Sequence, residues 1–495
     1  MNESPADVRT TSVRAHEARF PAAAALRPVA WILMAIGVVT ADADPDLWGH
    51  VRFGLDFLHS FRLPRLDPYS FTQDIAWTNH EWLSEAIMGA AYAAAGPMGL
   101  VILKGALLIC AYALVASALK KSPDGARWGS LAIVAAAVLP IAHSIRPQLW
   151  TLLFLVVLCR LLLAPPRYLW FVPVLFVPWV NVHGGWVVGF GVLTAWSASA
   201  LLDPSTSRRT RLIVGGVVAL SLLATLVNPY GFGLWQFVLE TVRPARADIQ
   251  EWQPTLRAPA VLLLLWSGGV GFAVWAVWRR PRAAIRTVAV ITMMAAGSLL
   301  VTRLIPLFVA ATVSLLAPAL EGRPAAPPAP VRTALDLAAM VVAVLLATHV
   351  SLLDGCVRVE GSWVPDVTAA RSLSASHARG RAITWFNWGE YALWHLWPSL
   401  KISYDGRRET VYSKRTIDEQ RAIAGGDPEG MDALGRLAPE YVWLSNAVSG
   451  KTKAWLREHG YRIDVETARS FVAVRKDLPT VTTVTESPAS CFPAP

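Results

Sequence analysis

The sequence predicts a polytopic α-helical membrane protein carrying a small C-terminal α/β domain. Three observations lead there. Apolar runs of roughly 17–25 residues, the length that crosses a bilayer core, recur along most of the chain. Of its 495 residues 54% are hydrophobic and only 16% charged, where a soluble chain carries about 25% charged residues. The basic residues gather in short gaps between the apolar runs, as membrane orientation requires. Buried helices of a large soluble protein would show polar faces that these runs lack. The same placement accounts for the net charge of +10, so no nucleic-acid partner is expected.

Taken in order, residues 1–27 read as a cytoplasmic tail with Arg9, Arg14, Arg19 and Arg27. The first run lacks a small-residue cleavage site, so no cleavable leader is expected. Helix 1 is expected near 28–41. An acidic outer loop follows, closing with an amphipathic interfacial helix at 81–95 that Gly96-Pro97 ends. Further spans are expected near 98–119, 128–144, 148–164, 168–182, 186–202, 212–228, 259–278, 287–301, 304–320 and 333–353. That makes about eleven transmembrane helices over 28–353. The most basic gaps, 208–211 and 279–286, then both face the cytoplasm, and one span more or fewer would put them on the wrong side.

Residues 354–495 change character. RAITWF, KISYD, EYVWLS and SFVAVR read as strands, and KRTIDEQRAIAG and KTKAWLREHG as helices. Their alternation suggests a small α/β domain, placed outside the cytoplasm by the odd number of spans. It has no phosphate-binding glycine loop, so no nucleotide site and no cofactor is expected. Cys356 and Cys491 both lie in this segment and can pair if it is extracytoplasmic. Cys110 and Cys159 fall in apolar runs and read as packing residues.

The stretch around which the chain is organised is Ala41–Glu85, and within it DADPDLWGH at 42–50. Carboxylates beside a membrane-spanning segment cost free energy unless they face water or do work. Asp44 and Asp46 flank Pro45, which extends the backbone before it. One carboxylate can then act as general base while the other tunes it or holds substrate. The competing reading makes Asp46 the N-cap of a helix beginning at Leu47. Asp42 is the expected bystander. His80 and Glu81 read either as substrate contacts at the membrane surface or as charge favoured at a helix N-terminus.

Arg146 and Arg303 sit at outer helix ends, against the charge bias. A guanidinium there calls for an anionic partner, and a lipid phosphate suits its planar fork; snorkelling to headgroups, or pairing with an acidic loop, is the alternative. Asn181 and His183, in NVHGGW, lie at the same level. NPYG at 228–231 is a turn signal first. NWGEYALW at 387–394 and YDGR at 404–407 pair aromatics with turn residues, suited to gripping sugars or to plain packing. No cluster has metal-ligand spacing, so no metal is expected.

In this order, DPDLWGH, the DPYSFT run from Asp67 to Thr72, HEWLSE, RPQ, NVHGGW and RLIPLF resemble the GT-C superfamily of membrane glycosyltransferases. The bacterial branch similar to dolichyl-phosphate-mannose-protein mannosyltransferases is the nearest look. The resemblance implies transfer of a sugar from a polyprenyl-phosphate-linked donor to an acceptor hydroxyl on the extracytoplasmic face of the cell's inner (plasma) membrane. The acceptor would be a glycan, a lipid or a protein. It implies Asp46 or Asp44 as general base. It implies Arg146 and Arg303 as holders of the lipid phosphate; His80, Glu81, Asn181 and His183, singled out above by their place in the chain, are the further candidate substrate-binding residues. The chain has DPD where the mannosyltransferases have an Asp-Glu pair. A lipid-linked glycan transporter, or a ligase or polymerase of lipid-linked glycans, stands as the alternative.

Overall fold

A computed structural model describes residues 22–241, 249–322, 341–342, 356–447, 449–485 and 491–493. It begins with an apolar bundle. Its helices are α1 (Ala22–Val39), α2 (Leu47–Ser60), α3 (Trp82–Ala118), α4 (Asp124–Ala142), α5 (Gln148–Leu162), α6 (Phe171–Val182), α7 (Trp186–Leu202), α8 (Arg208–Ala224), α9 (Gly233–Thr241), α10 (Ala260–Arg279), α11 (Pro281–Leu300) and α12 (Ile305–Leu316). Four helical stretches, Trp82–Ala118, Asp124–Ala142, Ala260–Arg279 and Thr302–Leu320, are long and apolar enough to cross a membrane. Shorter apolar helices lie at Leu26–Val39, Gln148–Leu162, Trp186–Leu202 and Arg286–Leu300. The described helices thus establish a membrane helical protein but not the expected count of eleven. The expected run 333–353 lies almost wholly outside the described residues, as does most of the tail 1–27.

Composition explains the packing. Every residue of α12 is buried, and α4, α5, α10 and α11 pack around it. Pro306 sits in its first turn, where a missing N–H costs no helical bond. On the outer helices Leu212, Leu264, Val274 and Trp278 stay exposed, as befits surfaces turned to lipid. In α3 the backbone leaves helical geometry at Ala95 and Gly96, with φ of 59° at Gly96. This is the break expected at Gly96-Pro97, and it turns the amphipathic stretch away from the span that follows.

Lys104, hidden within an apolar run, is 1% exposed. Its ammonium donates to Gly37 O at 2.7 Å, to Ala142 O at 2.8 Å and to Thr40 O. It thereby gathers the end of α1 and the end of α4, the two helices on either side of the acidic loop's root. A buried ammonium is tolerated only when its donors are satisfied, and three carbonyls do that here.

The C-terminal domain has a five-stranded sheet in the order β2-β1-β3-β5-β4. The strands are β1 (Gly380–Thr384), β2 (Leu400–Ile402), β3 (Tyr441–Ser445), β4 (Tyr461–Glu466) and β5 (Ser470–Arg475). β1 pairs in parallel with β2 and β3, while β5 runs antiparallel to β3 and β4. The α/β expectation holds, with one strand more than the four read from sequence. YRIDVE at β4 was not read as a strand because it buries fully only Tyr461 and Val465 at one sheet edge. NWGEYALW forms a 3-10 turn and the helix α14 (Gly389–Leu396), after α13 (Val367–Ala375).

The two parts interlock at the acidic loop. Asp42 donates its amide to His143 O at 2.8 Å, and Ala43 N donates to Arg358 O at 2.7 Å. Arg358 also donates its Nε to Asp42 Oδ1 at 3.0 Å. Cys356 and Cys491 form a disulfide, which holds Phe492 against Trp48 at 5.2 Å between ring centroids. The central strut is Arg407, in the loop after β2. It donates to both oxygens of Asp67 at 2.7 and 2.9 Å and to Asp405 at 2.6 Å. The rings of Phe53 and Trp77 lie 4.9 Å from its guanidinium carbon.

Removing one partner from such a buried network strands the others. We expect Arg407→Met to cost about 3–5 kcal/mol of stability. The loss would appear as earlier thermal unfolding in detergent and as faster proteolytic release of residues 356–485 than in the wild-type protein.

Candidate active site

The expected site residues converge at the bundle end facing the C-terminal domain. Pro45 extends the backbone so that Asp44 points down towards the loop after α4 and Asp46 stands at the start of α2. Asp44 is 4% exposed. One of its oxygens accepts from Asp46 N at 2.9 Å, and the other is paired with Arg146 Nε. Arg146 reaches on to Glu251 at 3.2 Å, and Glu251 lies 3.6 Å from Arg303 Nη1. A chain of alternating charge, Asp44–Arg146–Glu251–Arg303, therefore runs across the site. Burial works against the Arg146 charge, but Asp44 and then Glu251 overcome it and hold the guanidinium firmly protonated.

Glu251 was not read from the sequence. It lies in a 3-10 turn, Gln250–Trp252, with no periodic signal of its own. The start of α12 fixes it: Thr302 donates its hydroxyl to Glu251 O at 2.9 Å and its amide to Gln253 O at 3.1 Å. Arg303 lies beside this turn, 5.5 Å from the Trp252 ring centre.

Asp46 occupies the N-cap position of α2, yet its side chain accepts no capping hydrogen bond. Burial first, then Asp44, push its carboxyl up to about 6, against the pull of Arg146 and His50. A carboxylate near neutrality can take a proton at working pH. The capping bond goes elsewhere: Gly49 N donates to Glu390 Oε2 at 3.1 Å, from α14 of the C-terminal domain. Glu390 is 3% exposed. Burial, then Asp46, raise its carboxyl well above the usual range.

Beyond Arg303 lies a histidine and carboxylate group. Gly185 N donates to His183 Nδ1 at 3.1 Å, and Thr151 Oγ1 lies 2.7 Å from the same nitrogen. An amide cannot accept, so Nδ1 carries the lone pair and the proton resides on Nε2. That nitrogen lies 3.6 Å from Glu81 Oε1 and 3.4 Å from Arg303 Nη2. Burial holds His183 down at about 3, neutral at working pH. Gly185 has no room for a side chain, since a Cβ would meet Thr151 and, at 2.8 Å, His183 Nδ1. His80 Nε2 lies 3.5 Å from Glu81 Oε1. Burial alone would raise Glu81, but His80 first, then His183, His50 and Arg303, hold its carboxyl below the usual range.

Asn181 lies beside this group with its amide occupied. It accepts from Trp82 Nε1 at 2.8 Å and donates to Val177 O and Val227 O, each at 2.8 Å. It braces the start of α3 against α6 and the end of α8. The NPYG turn does more than reverse the chain: Tyr230 OH accepts from Asn79 N at 2.8 Å, and Asn79 donates to Glu85 at 2.5 Å.

Glu85 in turn holds His50, whose Nδ1 lies 3.3 Å away. A lone histidine in sequence gives no sign of this partner. Burial disfavours the charged ring, but the Glu85 hydrogen bond, then Glu81, Glu85 and Asp46, raise it to about 9. Among the described residues, no group of three or more His, Cys, Asp and Glu side chains has the arrangement to hold a metal.

No family model and no curated protein matches the chain. Among solved structures, the chain is similar to the arabinofuranosyltransferase AftD from Mycobacteria at 16% identity and a TM-score of 0.47. The likeness covers 91% of this chain and 41% of that one. The chain thus spans less than half the length of that structure.

The pH dependence follows from His50. Its pKa is raised on folding from an ordinary 6.5 to about 9. The ion pair with Glu85 therefore contributes fully below the ordinary value and is lost as pH rises through about 9. We expect thermal stability to fall between pH 7 and 10, and the fall to be absent from His50→Gln when both proteins are followed by differential scanning fluorimetry.

Proposed function

We propose that the chain is a membrane glycosyltransferase. It would move a sugar from a polyprenyl-phosphate-linked donor to an acceptor hydroxyl on the extracytoplasmic face. The observation that carries this reading is Asp46: a carboxylate raised towards neutrality, free of its expected capping bond, beside a line of charge that ends at Arg303. The motif resemblance to the GT-C superfamily supplies the reaction class; the branch near the mannosyltransferases rests on those motifs alone.

Of the two candidate bases, Asp46 is preferred. Asp44 is committed to Arg146 and to the Asp46 amide, which suits a residue that shapes the loop. In the proposed step Asp46 accepts the proton of the acceptor hydroxyl as that oxygen bonds to the anomeric carbon. The bond from that carbon to the phosphate oxygen breaks, and the lipid phosphate leaves with the electron pair. A single displacement of this kind inverts the anomeric centre. Arg146 is held by two carboxylates, whereas Arg303 has the looser 3.6 Å contact with Glu251. Arg303, with His80 and the Nε2–H of His183 nearby, is therefore the better phosphate holder, and preorganised donors of this kind stabilise developing charge. Asn181 and Glu81 would keep that wall in place.

The disulfide Cys356–Cys491 supports an oxidising location for the C-terminal domain. The basic gaps at 208–211 and 279–286 support the opposite face as cytoplasmic. Together they favour a plasma membrane protein with its N-terminus inside.

The test uses the protein in lipid nanodiscs with a panel of polyprenyl-phosphate sugars, following donor consumption so that the acceptor need not be known. Asp46→Asn should lower turnover by about 100-fold or more. Arg303→Ala should weaken donor use by about tenfold or more. Unchanged donor consumption in both Asp46→Asn and Asp44→Asn, with the protein folded, would remove the basis of the mechanism.

A further inference from the structure

We propose that Glu390 is a positioning residue for Asp46, so that the C-terminal domain completes the site rather than merely covering the bundle. The inference rests on the reading of Asp46 as the base.

The N-terminus of an α-helix leaves amide N–H groups without intrahelical partners, and the N-cap side chain ordinarily accepts one from the second or third helical residue. In α2 the N-cap residue is Asp46 and the third helical residue is Gly49. On the capping reading of DPDLWGH, Asp46 would turn back onto its own helix. It does not. Gly49 N donates instead to Glu390 Oε2, contributed from 341 residues away. Glu390 has taken the capping bond, and the Asp46 carboxylate is left available to a substrate.

Three features show that this arrangement is built. Glu390 is buried at the first turn of α14, where Tyr391 packs edge-on to Trp48 of α2 at 5.3 Å. Gly49 has no space for a side chain, because a Cβ would strike the Glu390 carboxylate. Gly406, just before Arg407, lies against both acids: a Cβ there would strike Asp46 Oδ1 and would come within 3.0 Å of Glu390 Oε1. The two carboxyl groups thus meet at the one residue of the YDGR loop that lacks a side chain. Arg407, clamped by Asp67 and Asp405, fixes that loop.

The charged groups around the pair are few. Asp44, Arg146, His50 and Glu251 act on Asp46 from the loop after α1, the loop after α4, α2 and the Gln250–Trp252 turn before α10. Asp405, Arg407 and Glu85 act on Glu390 from the YDGR loop and α3. Glutamine at position 390 would keep an oxygen for Gly49 N. Alanine would leave that amide unpartnered in a buried place, and an N-cap carboxylate such as Asp46 is the ordinary acceptor for the third helical N–H. Once bonded to Gly49 N, Asp46 would be harder to protonate and turned from the acceptor.

Donor consumption in nanodiscs, measured against pH, tests this. Glu390→Ala should lower kcat by about tenfold or more with donor KM little changed. It should also move the acid limb of the profile, set by Asp46, to lower pH. Glu390→Gln should restore the rate and return the limb to its wild-type position. Gly406→Ala should lower kcat while the protein keeps its melting temperature. A general packing defect would lower the rate of Glu390→Ala and leave the acid limb in place, and that result, or equal rates for Ala and Gln, would overturn the proposal. If Asp46→Asn is itself fully active, the underlying reading fails. If Asp46→Asn is inactive while both Glu390 variants match wild type, only the present inference fails.

Discussion

Charge taken out of water must be paired, and that requirement organises the junction between the bundle and its C-terminal domain. Arg146 lies between Asp44 and Glu251, and Arg407 between Asp67 and Asp405. Each arginine draws together segments that are distant along the chain. The first joins the acidic loop, the loop after α4 and the Gln250–Trp252 turn. The second joins the DPYSFT run to the YDGR loop. Neither carboxylate pair could approach so closely without the guanidinium between them. With these pairs in place, Asp46 is the carboxylate left over, and its raised pKa follows directly from burial beside Asp44.

Much of this was legible in the sequence, for physical reasons. Membrane solvation imposes long apolar runs, so the class of protein and many helix positions can be read from hydropathy alone. Gly96-Pro97 breaks α3 because neither residue favours the helix interior. Arg146, Arg303, NVHGGW and HEWLSE converge because helix ends on one side of a bundle must lie near one another. What could not be read depends on partners in three dimensions. His50 is one polar residue in a helix until Glu85 lies beside it. Glu251 is an acid in an irregular loop until Thr302 anchors the turn. Lys104 is masked by the apolar residues around it. Asp46 reads as a cap or as a base, and the residue that takes the capping bond, Glu390, lies more than three hundred residues away.

The two sides of the site also differ in electrical character. Asp46 and Glu390 crowd together and both shift upward, which favours taking a proton. Around Glu81 the histidines and Arg303 dominate and hold the carboxylate ionised. Glu251 separates the two regions while touching both arginines. Groups shifted towards protonation and groups held ionised thereby lie apart at one end of the bundle. Asn181, bonded to Trp82, Val177 and Val227, braces the elements beside the second region.

The packing of Trp48 on Phe492 has a temporal meaning. Trp48 also donates to Pro493 O, 445 residues further on. Ribosomes deliver these partners in order, so the acidic loop waits without its clasp while the next 445 residues are added. A prematurely terminated chain would carry every outer-end arginine and histidine of the bundle and still lack the piece that seats the loop. The seating of this loop is thus a contact that a nascent chain can complete only after Phe492 and Pro493 have been added.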